Sequence, residues 1–233
     1  PREFAFVEIG AEAPAPGQPA PGILQGVSHP FGAARTIPLG HEMALSGPCV
    51  VFANELLDAQ PFERFAFRRG GWRRLGVAER EGRLAEVELP GPATADFLPA
   101  RAPEGYLVDA PLAATTLLEK IAAQPWTGLF LTCDYGRTLH ELLTEYPAGT
   151  ARAYHRHRQS NELLAQPGEQ DLTCHLCWDW LADTLRRHGF VEPKVETQES
   201  FFVKHAGAFL AAASAAEAKG LSQRKLALMQ LLH

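Results

Sequence analysis

Disulfide-forming cysteine, long apolar runs and an excess of basic charge are all missing from this sequence. Its 4 cysteines among 233 residues do not make the framework of a disulfide-rich secreted protein, so we expect a reducing, cytoplasmic location. The longest apolar run, residues 206–216, is too short to span a bilayer, and we expect no membrane association. The net charge is −5, from 22 basic and 27 acidic residues. Phosphate binding needs a basic surface, so nucleic acid is not an expected partner.

A metal centre is also not expected. Cys174 and Cys177 enclose His175 in a Cys-x-x-Cys arrangement. Structural zinc needs four ligands, usually from two such motifs, and the other cysteines, Cys49 and Cys133, are isolated in predicted strands. We interpret all four as free thiols.

Two clusters of arginines occur despite the negative net charge. We interpret both as solvated strand faces, with an anion or acidic-partner site as the alternative. The clusters are Arg64, Arg68, Arg69, Arg73 and Arg74, and Arg152, Arg156 and Arg158 among His155 and His157.

Apolar patterning predicts an α/β fold. A continuous apolar run at 49–53 and largely apolar runs at 4–9 and 129–133 predict buried strands, and a further short strand fits 35–39. Helical spacing occurs at 112–123, 139–146 and 178–188, a strand-like run occupies 190–196, and Ala- and Leu-rich helices fit 199–219 and 221–232. Strands that alternate with helices favour a largely parallel sheet.

The segment 62–105 differs from the rest of the chain. Three short runs in residues 62–89, separated by glycine turns, predict an antiparallel β-meander, and a Pro- and Gly-rich connection follows. We therefore expect an α/β domain at 1–61 and 106–233, interrupted by a β-meander insertion at 62–105. A strand starts almost at residue 1 and the last helix has no C-cap glycine, so we expect the native protein to extend beyond both ends.

Polar residues follow three of the predicted strands. The first strand carries Glu8 and Gly10, the second ends in the 54–58 segment, and the third ends in Asp134. The carboxyl ends of parallel strands lie at one edge of a sheet, where ligands bind. The sequence therefore predicts one crevice formed by these three strand ends.

Several motifs resemble one known family. Asn-Glu-Leu-Leu-Asp-Ala-Gln-Pro at 54–61 resembles the Asn-Glu-Phe-Phe-Asp-Ala-Leu-Pro signature of the MidA-type S-adenosylmethionine (SAM) methyltransferases, which include the mitochondrial complex I assembly arginine methyltransferase. Asp-Tyr-Gly at 134–136, the Gly-Thr segment at 149–157 and Pro-Gly-Glu-Gln-Asp-Leu-Thr-Cys-His at 167–175 also resemble family motifs, in the same order.

The resemblance implies a Rossmann-like class I methyltransferase sheet with C-terminal helices, SAM as the cofactor, and a protein side chain such as arginine as the substrate. Carboxylates would hold the guanidinium by paired hydrogen bonds. The implied catalytic residues are Asn54, Glu55 and Asp58; the implied cofactor-binding residues are Glu8, Gly10, Asn54 and Asp134; the implied substrate-side residues are Tyr135 and His175.

The first strand departs from the family pattern. The family continues from its first strand with Glu-Leu-Gly-x-Gly-x-Gly, where glycines let the backbone approach the cofactor. This chain keeps Glu8 and Gly10 and then has Ala-Glu-Ala-Pro at 11–14. The alternative is therefore a non-catalytic assembly or binding protein on a degenerate methyltransferase scaffold. The oligomeric state stays open.

Overall fold

A four-stranded parallel sheet forms the centre of the first of two compact units, Pro1–Val191, and the second unit is Glu192–His233. The computed structural model describes residues 2–11, 22–156, 158–216, 222 and 226. The elements of the first unit are, in chain order, β1 (Ala5–Ala11), β2 (Ala33–Pro38), β3 (Gly47–Asn54), β4 (Glu63–Arg68), β5 (Gly71–Arg80), β6 (Arg83–Glu88), β7 (Leu107–Ala110), α1 (Leu112–Ala122), β8 (Trp126–Cys133), β9 (Gly136–Arg137), α2 (Leu139–Thr144), β10 (Arg152–His155), β11 (Arg158–Ser160), β12 (Asp171–Thr173), β13 (Leu176–Cys177) and α3 (Trp178–Arg187).

The parallel sheet has the order β2-β1-β3-β8. The apolar runs that predicted β1 and β3 occupy its two central positions, where Val7 and Val51 are fully buried. The short strand expected at 35–39 is β2. The expectation that 129–133 is buried was wrong, because β8 is an edge strand among the described strands and Leu129 is 53% exposed.

Helices α1 and α3 pack against each other beside the sheet. The apolar stripes predicted from their sequences meet in one buried cluster, in which Leu118 of α1 and Leu181 of α3 surround Leu57 and Leu176. Burial of such stripes supplies most of the stability of short helices. Helix α3 ends as expected, because Gly189 follows it with a φ of 83°.

The predicted β-meander is present as a second, antiparallel sheet of order β6-β5-β4-β7. Strand β7, beyond residue 105, joins it by pairing with β4. Aromatic side chains form its core, and Phe67 packs edge-on against Trp72 at 5.4 Å between ring centroids. The exact bounds of the insertion remain a prediction.

Short strands complete the first unit. Strand β10 pairs with β11 and with β12, and β13 pairs in parallel with β9. The chain therefore pairs with β10 along β12 and then with β9 along β13. Strand β9 begins shortly after β8 ends, so this segment lies near the end of β8.

The second unit contains α4 (Gln198–Ala216), which is interrupted at Ala206. The strand expected at 190–196 was wrong: this stretch has no regular structure, and Val191 and Val195 are 86% and 58% exposed. Pro193 has no backbone N–H to contribute to a ladder. The helix expected at 221–232 falls outside the described residues except for positions 222 and 226. No helix in the described part of the chain is long and apolar enough for a membrane span.

Candidate functional site

Three polar strand ends meet at the carboxyl edge of the parallel sheet. Strands β1, β3 and β8 are neighbours there, so Gly10, Asn54 and Asp134 lie at the same edge. The backbone N–H of Glu55 donates to the carbonyl of Cys133 over 2.9 Å and extends the β3–β8 pairing past Asn54. The structure thus brings the predicted residues of the three strands together, while their roles remain predictions.

The end of β1 is closed by a turn at Gly10. The β1–β2 register shifts between Ile9 and Ala11, and Gly10 has a φ of 83°, which favours glycine. A Cβ at Gly10 would lie 2.6 Å from Cδ1 of Leu56, so the space beside this glycine is already filled by the segment that follows β3.

Glu8 is half-buried and engaged by the protein. Its Oε2 accepts hydrogen bonds from the backbone N–H of Ile23 at 2.8 Å and from the hydroxyl of Thr36 at 3.2 Å. These bonds connect β1 to β2 and to the chain that enters β2. In its predicted cofactor contact, Glu8 would accept a further hydrogen bond through the carboxylate lone pairs that these two bonds leave free.

A small cleft opens at the carboxyl ends of β1 and β2. Its volume is about 140 Å³, and its apolar lining includes Ile37, Met43 and Leu56 beside Gly10. Pockets that bury a whole small-molecule ligand are usually about 300–1,000 Å³. This cleft therefore has room for only part of such a ligand.

The turn after β3 presents Glu55 to solvent. Its φ of 46° is in the left-handed region, which is uncommon for a residue with a side chain. Asn54 and Glu55 are both exposed. A non-glycine residue held in this conformation at a strand end is typical of functional sites, where local strain is tolerated.

Asp58, which is buried, and Asp134, which is half-buried, form an acidic pair beneath this turn. Oδ1 of Asp134 accepts from the backbone N–H groups of Leu57 and Asp58, at 3.1 and 3.2 Å, and its Oδ2 accepts from the hydroxyl of Thr132. Asp58 is 3% exposed, and its buried Oδ1 has no hydrogen-bond partner among the described residues. Burial, with the negative charges of Asp134 and Glu55, raises the pKa of Asp58 to about 7. Burial also raises the pKa of Asp134.

Tyr135 lies beside Glu55 and is 61% exposed. The negative charge of Glu55, followed by burial and the nearby Tyr154, raises the pKa of its phenol. The phenol therefore stays protonated and can donate a hydrogen bond at the crevice.

His175 is placed next to this acidic turn by two backbone hydrogen bonds. The N–H of Cys174 donates to the carbonyl of Asp58 over 3.0 Å, and the N–H of Leu176 donates to the carbonyl of Tyr135 over 2.9 Å. Burial, with the charges of Arg137 and Arg152, lowers the pKa of His175. The imidazole is thus neutral at neutral pH, and within the part of the chain that the structure describes its buried Nδ1 has no hydrogen-bond partner.

A buried ion pair connects the meander to this region, and no motif in the sequence indicates it. The carboxylate of Asp109 in β7 accepts hydrogen bonds from Nε and Nη2 of Arg64, at 2.7 and 3.2 Å. It also accepts from the backbone N–H groups of Thr150 and Ala151, at 2.8 Å each. Thr150 in turn accepts from the N–H of His175 over 3.3 Å. The partners lie too far apart along the chain for any local pattern to reveal them.

Neither metal binding nor thiol chemistry is indicated in the described part of the chain. No three His, Cys, Asp or Glu side chains there come together as metal ligands, and the absence of metal remains a prediction. Burial raises the pKa of Cys174 and brings that of Cys177 to about 11, so both are unreactive thiols at neutral pH.

A parallel sheet with a polar crevice at its carboxyl edge defines a Rossmann-like α/β enzyme class. Within that class, residues 33–194 match the model of the family described as "Putative S-adenosyl-L-methionine-dependent methyltransferase". The match covers more than half of the chain, and the chain belongs to this family. The protein is therefore of the methyltransferase class that uses SAM as its cofactor.

Two solved structures from Burkholderia thailandensis resemble this one. The first is "a COG1565 superfamily member and likely methyl transferase" bound to S-adenosyl-homocysteine, with a TM-score of 0.77 and 20% identity over 98% of this chain and 67% of that chain. The second is an uncharacterized COG1565 superfamily protein, with a TM-score of 0.74 and 20% identity over 98% of this chain and 70% of that chain. At this identity the likeness concerns the fold, and it confirms the Rossmann-like α/β class. No curated protein matches the sequence.

Proposed function

We propose that this protein transfers a methyl group from SAM to a side-chain nitrogen of another protein, with arginine as the substrate, as in the MidA-type enzymes that its motifs resemble. The observation that carries the proposal is the exposed Glu55, held in a left-handed turn beside Tyr135 and above the acidic pair of Asp58 and Asp134. These three carboxyl groups form no ion pair with any described residue, and such a cluster attracts a guanidinium.

The described residues fit part of SAM. The apolar cleft beside Gly10 suits an aromatic or aliphatic portion of a ligand, and the exposed Asn54, two residues before Leu56 of the cleft lining, offers an amide for hydrogen bonds. When bound, SAM supplies an activated methyl group that needs no further activation by the protein. The protein has to align the substrate nitrogen and take up one proton for each methyl group transferred.

The solvent exposure of each carboxyl group decides the role that we propose for it. Glu55 is exposed, so the proposal gives it the substrate contact: it holds the guanidinium and accepts the proton that leaves the nitrogen. Asp58 is 3% exposed, so we assign it a positioning role, together with Asp134, in holding the turn that presents Glu55. Tyr135 would add a hydrogen bond from its phenol.

A non-catalytic binding protein on the same scaffold is the second candidate. It is favoured by the small volume of the cleft, about 140 Å³, and by the side chain of Leu56 that fills the space beside Gly10. Isothermal titration with SAM and with S-adenosyl-homocysteine separates the two candidates. We expect micromolar dissociation constants; no measurable heat at millimolar ligand would favour the binding protein.

Replacing Glu55 tests the catalytic assignment directly. In Glu55→Gln, methyl transfer to an arginine peptide should fall about 100-fold or more, because the proton acceptor is lost. The affinity for S-adenosyl-homocysteine should stay within a few-fold. Glu79→Gln, at an exposed glutamate of β5, is the matched control and should keep full activity. Unchanged turnover in Glu55→Gln would remove Glu55 from the mechanism.

A further inference from the structure

Two arginines flank His175, one from each neighbouring strand. Strand β9 pairs with β13 so that Arg137 stands opposite Cys177, and β10 pairs with β12 so that Arg152 stands opposite Thr173. His175 lies midway between these two positions. The arginines come from two different strands, and both charges act on its ring.

Neither arginine forms a close ion pair in the described part of the chain, although the charge of Arg137 contributes to lowering the pKa of Glu141. Arg137 donates to the hydroxyl of Tyr146 at 2.5 Å and to the carbonyl of Gly136 at 2.8 Å. Arg152 donates to the carbonyls of Ala151 at 2.6 Å and Gly149 at 3.4 Å. Both are half-buried. Guanidinium groups in such surroundings are usually matched by a carboxylate or phosphate, as Arg64 is by Asp109.

The ring of His175 lies beside this pair. It packs edge-on against Tyr146, at 5.7 Å between centroids, and Tyr146 is also the residue whose hydroxyl accepts from Arg137. The Nδ1 of His175 is shielded from solvent and has no hydrogen-bond partner among the described residues. An anion would therefore be held by the two arginines, and the neutral ring beside them would report its arrival.

We propose that Arg137 and Arg152, on the two strands that pair next to His175, bind a carboxylate of the substrate, so that the enzyme selects an arginine that has an acidic neighbour in its polypeptide. The inference rests on the proposed function. The segment that carries His175 is hydrogen-bonded to the backbones of Asp58 and Tyr135, so the basic group adjoins the acidic turn that would hold the guanidinium. Adjacent groups of opposite charge favour a dipolar substrate and reject one that carries a single charge.

Binding of a small carboxylate tests the anion site without any catalysis. We would titrate N-acetylaspartate into protein with 15N-labelled histidine and follow the His175 ring signals, assigned with the variant His175→Asn. We expect a saturable shift, with affinity at least 10-fold weaker in Arg137→Gln and in Arg152→Gln. Arg83→Gln, at an exposed arginine of β6, is the control and should bind like wild type. Absence of the shift in wild type would overturn the proposal.

The carboxylate of the cofactor is another possible source of an anion, and the same signals distinguish it. We expect N-acetylaspartate to shift the His175 resonances equally in the presence of saturating S-adenosyl-homocysteine. If S-adenosyl-homocysteine alone produces the shift and blocks N-acetylaspartate, the site belongs to the cofactor and the substrate assignment is overturned.

Selectivity is then measured with paired peptides in which arginine is flanked on both sides by aspartate or by asparagine. The aspartate peptide should have a kcat/KM at least 10-fold higher, and Arg137→Gln and Arg152→Gln should each abolish that preference. Equal values in wild type would overturn the proposal. If wild type methylates neither peptide although N-acetylaspartate binds, the proposed function fails and the anion site stands apart from it.

Discussion

Asp58 and Asp109 are equally buried, with 3% of each residue exposed, but their surroundings are opposite in charge. Asp109 faces the guanidinium of Arg64 and two backbone N–H groups. Asp58 faces two further carboxyl groups, those of Asp134 and Glu55, and one of its oxygens has no partner. A buried carboxylate with matched donors holds a structure together, whereas one without them opposes folding. We therefore regard Asp109 as structural and Asp58 as part of the functional site.

The largest effect is expected at the matched aspartate. Asp109→Asn leaves Arg64 without the carboxylate that pairs with it, and should lower the free energy of unfolding by about 3 kcal/mol. Urea denaturation at pH 7 measures this loss. Asp183→Asn, which breaks an exposed ion pair with Arg186, is the control and should change stability by less than about 0.5 kcal/mol. A similarly small effect of Asp109→Asn would contradict the structural role.

Replacing Asp58, the aspartate without matched donors, should change the free energy of unfolding by a smaller amount and in the opposite direction, toward greater stability. The pKa of Asp58 is about 7 in the folded protein and 3.8 in the reference state, so the folded state binds more protons between these values. Its stability should therefore fall as pH rises from 5 to 7, by up to about 1.4 kcal/mol per pH unit. In Asp58→Asn this contribution is absent, because the amide does not titrate and still donates toward Asp134.

Urea denaturation of wild type and Asp58→Asn at pH 5, 6, 7 and 8 tests this difference. The variant should gain stability relative to wild type as pH rises to 7, and the gap should then level off. The curve of Asp183→Asn should run parallel to that of wild type. A constant gap between wild type and Asp58→Asn would show that Asp58 keeps an ordinary pKa.

The smallest effect is expected at the exposed member of the acidic group. Glu55 has a φ of 46°, a conformation that costs a residue with a Cβ about 1 kcal/mol more than glycine. Glu55→Gly should therefore raise the free energy of unfolding by about 0.5 kcal/mol, after the larger chain entropy of glycine is subtracted, while methyl transfer is lost.

A second left-handed glutamate provides the matched control for this change. Glu81, in the turn between β5 and β6, has a φ of 52°. Glu81→Gly should gain similar stability and keep full methyl transfer. Equal activity of Glu55→Gly and Glu81→Gly would show that the left-handed glutamate after β3 has no functional importance.

The common edge of the three strand ends could be predicted because it follows from local sequence patterns. Apolar runs indicate the strands, and the polar residues that follow them, such as Asn54 and Asp134, must lie at one edge once the strands are parallel. The same reasoning predicted the meander, since glycine turns between short runs permit little else.

The sequence could not predict contacts between distant segments. Arg64 was interpreted with its neighbours as part of a solvated strand face. That interpretation fits Arg69 and Arg74, whose side chains are 70% and 52% exposed, but not Arg64 at 16%. The position of the partner, Asp109, depends on how β4 pairs with β7. The error at 190–196 has a related cause: a β-like composition forms a strand only where a neighbour can pair with it.

The glycine of the Asp-Tyr-Gly segment shows how a packing constraint can imitate a chemical one. A Cβ at Gly136 would lie 2.4 Å from Cε2 of Trp178, the first residue of α3. Any larger residue there would push the indole and the start of the helix outward, and would disturb Leu176 and the adjoining His175 through the β9–β13 pairing. A mutational scan that records turnover alone would thus count Gly136 among the catalytic positions. Indole fluorescence recorded in the same scan would reveal that the loss begins with a displaced helix.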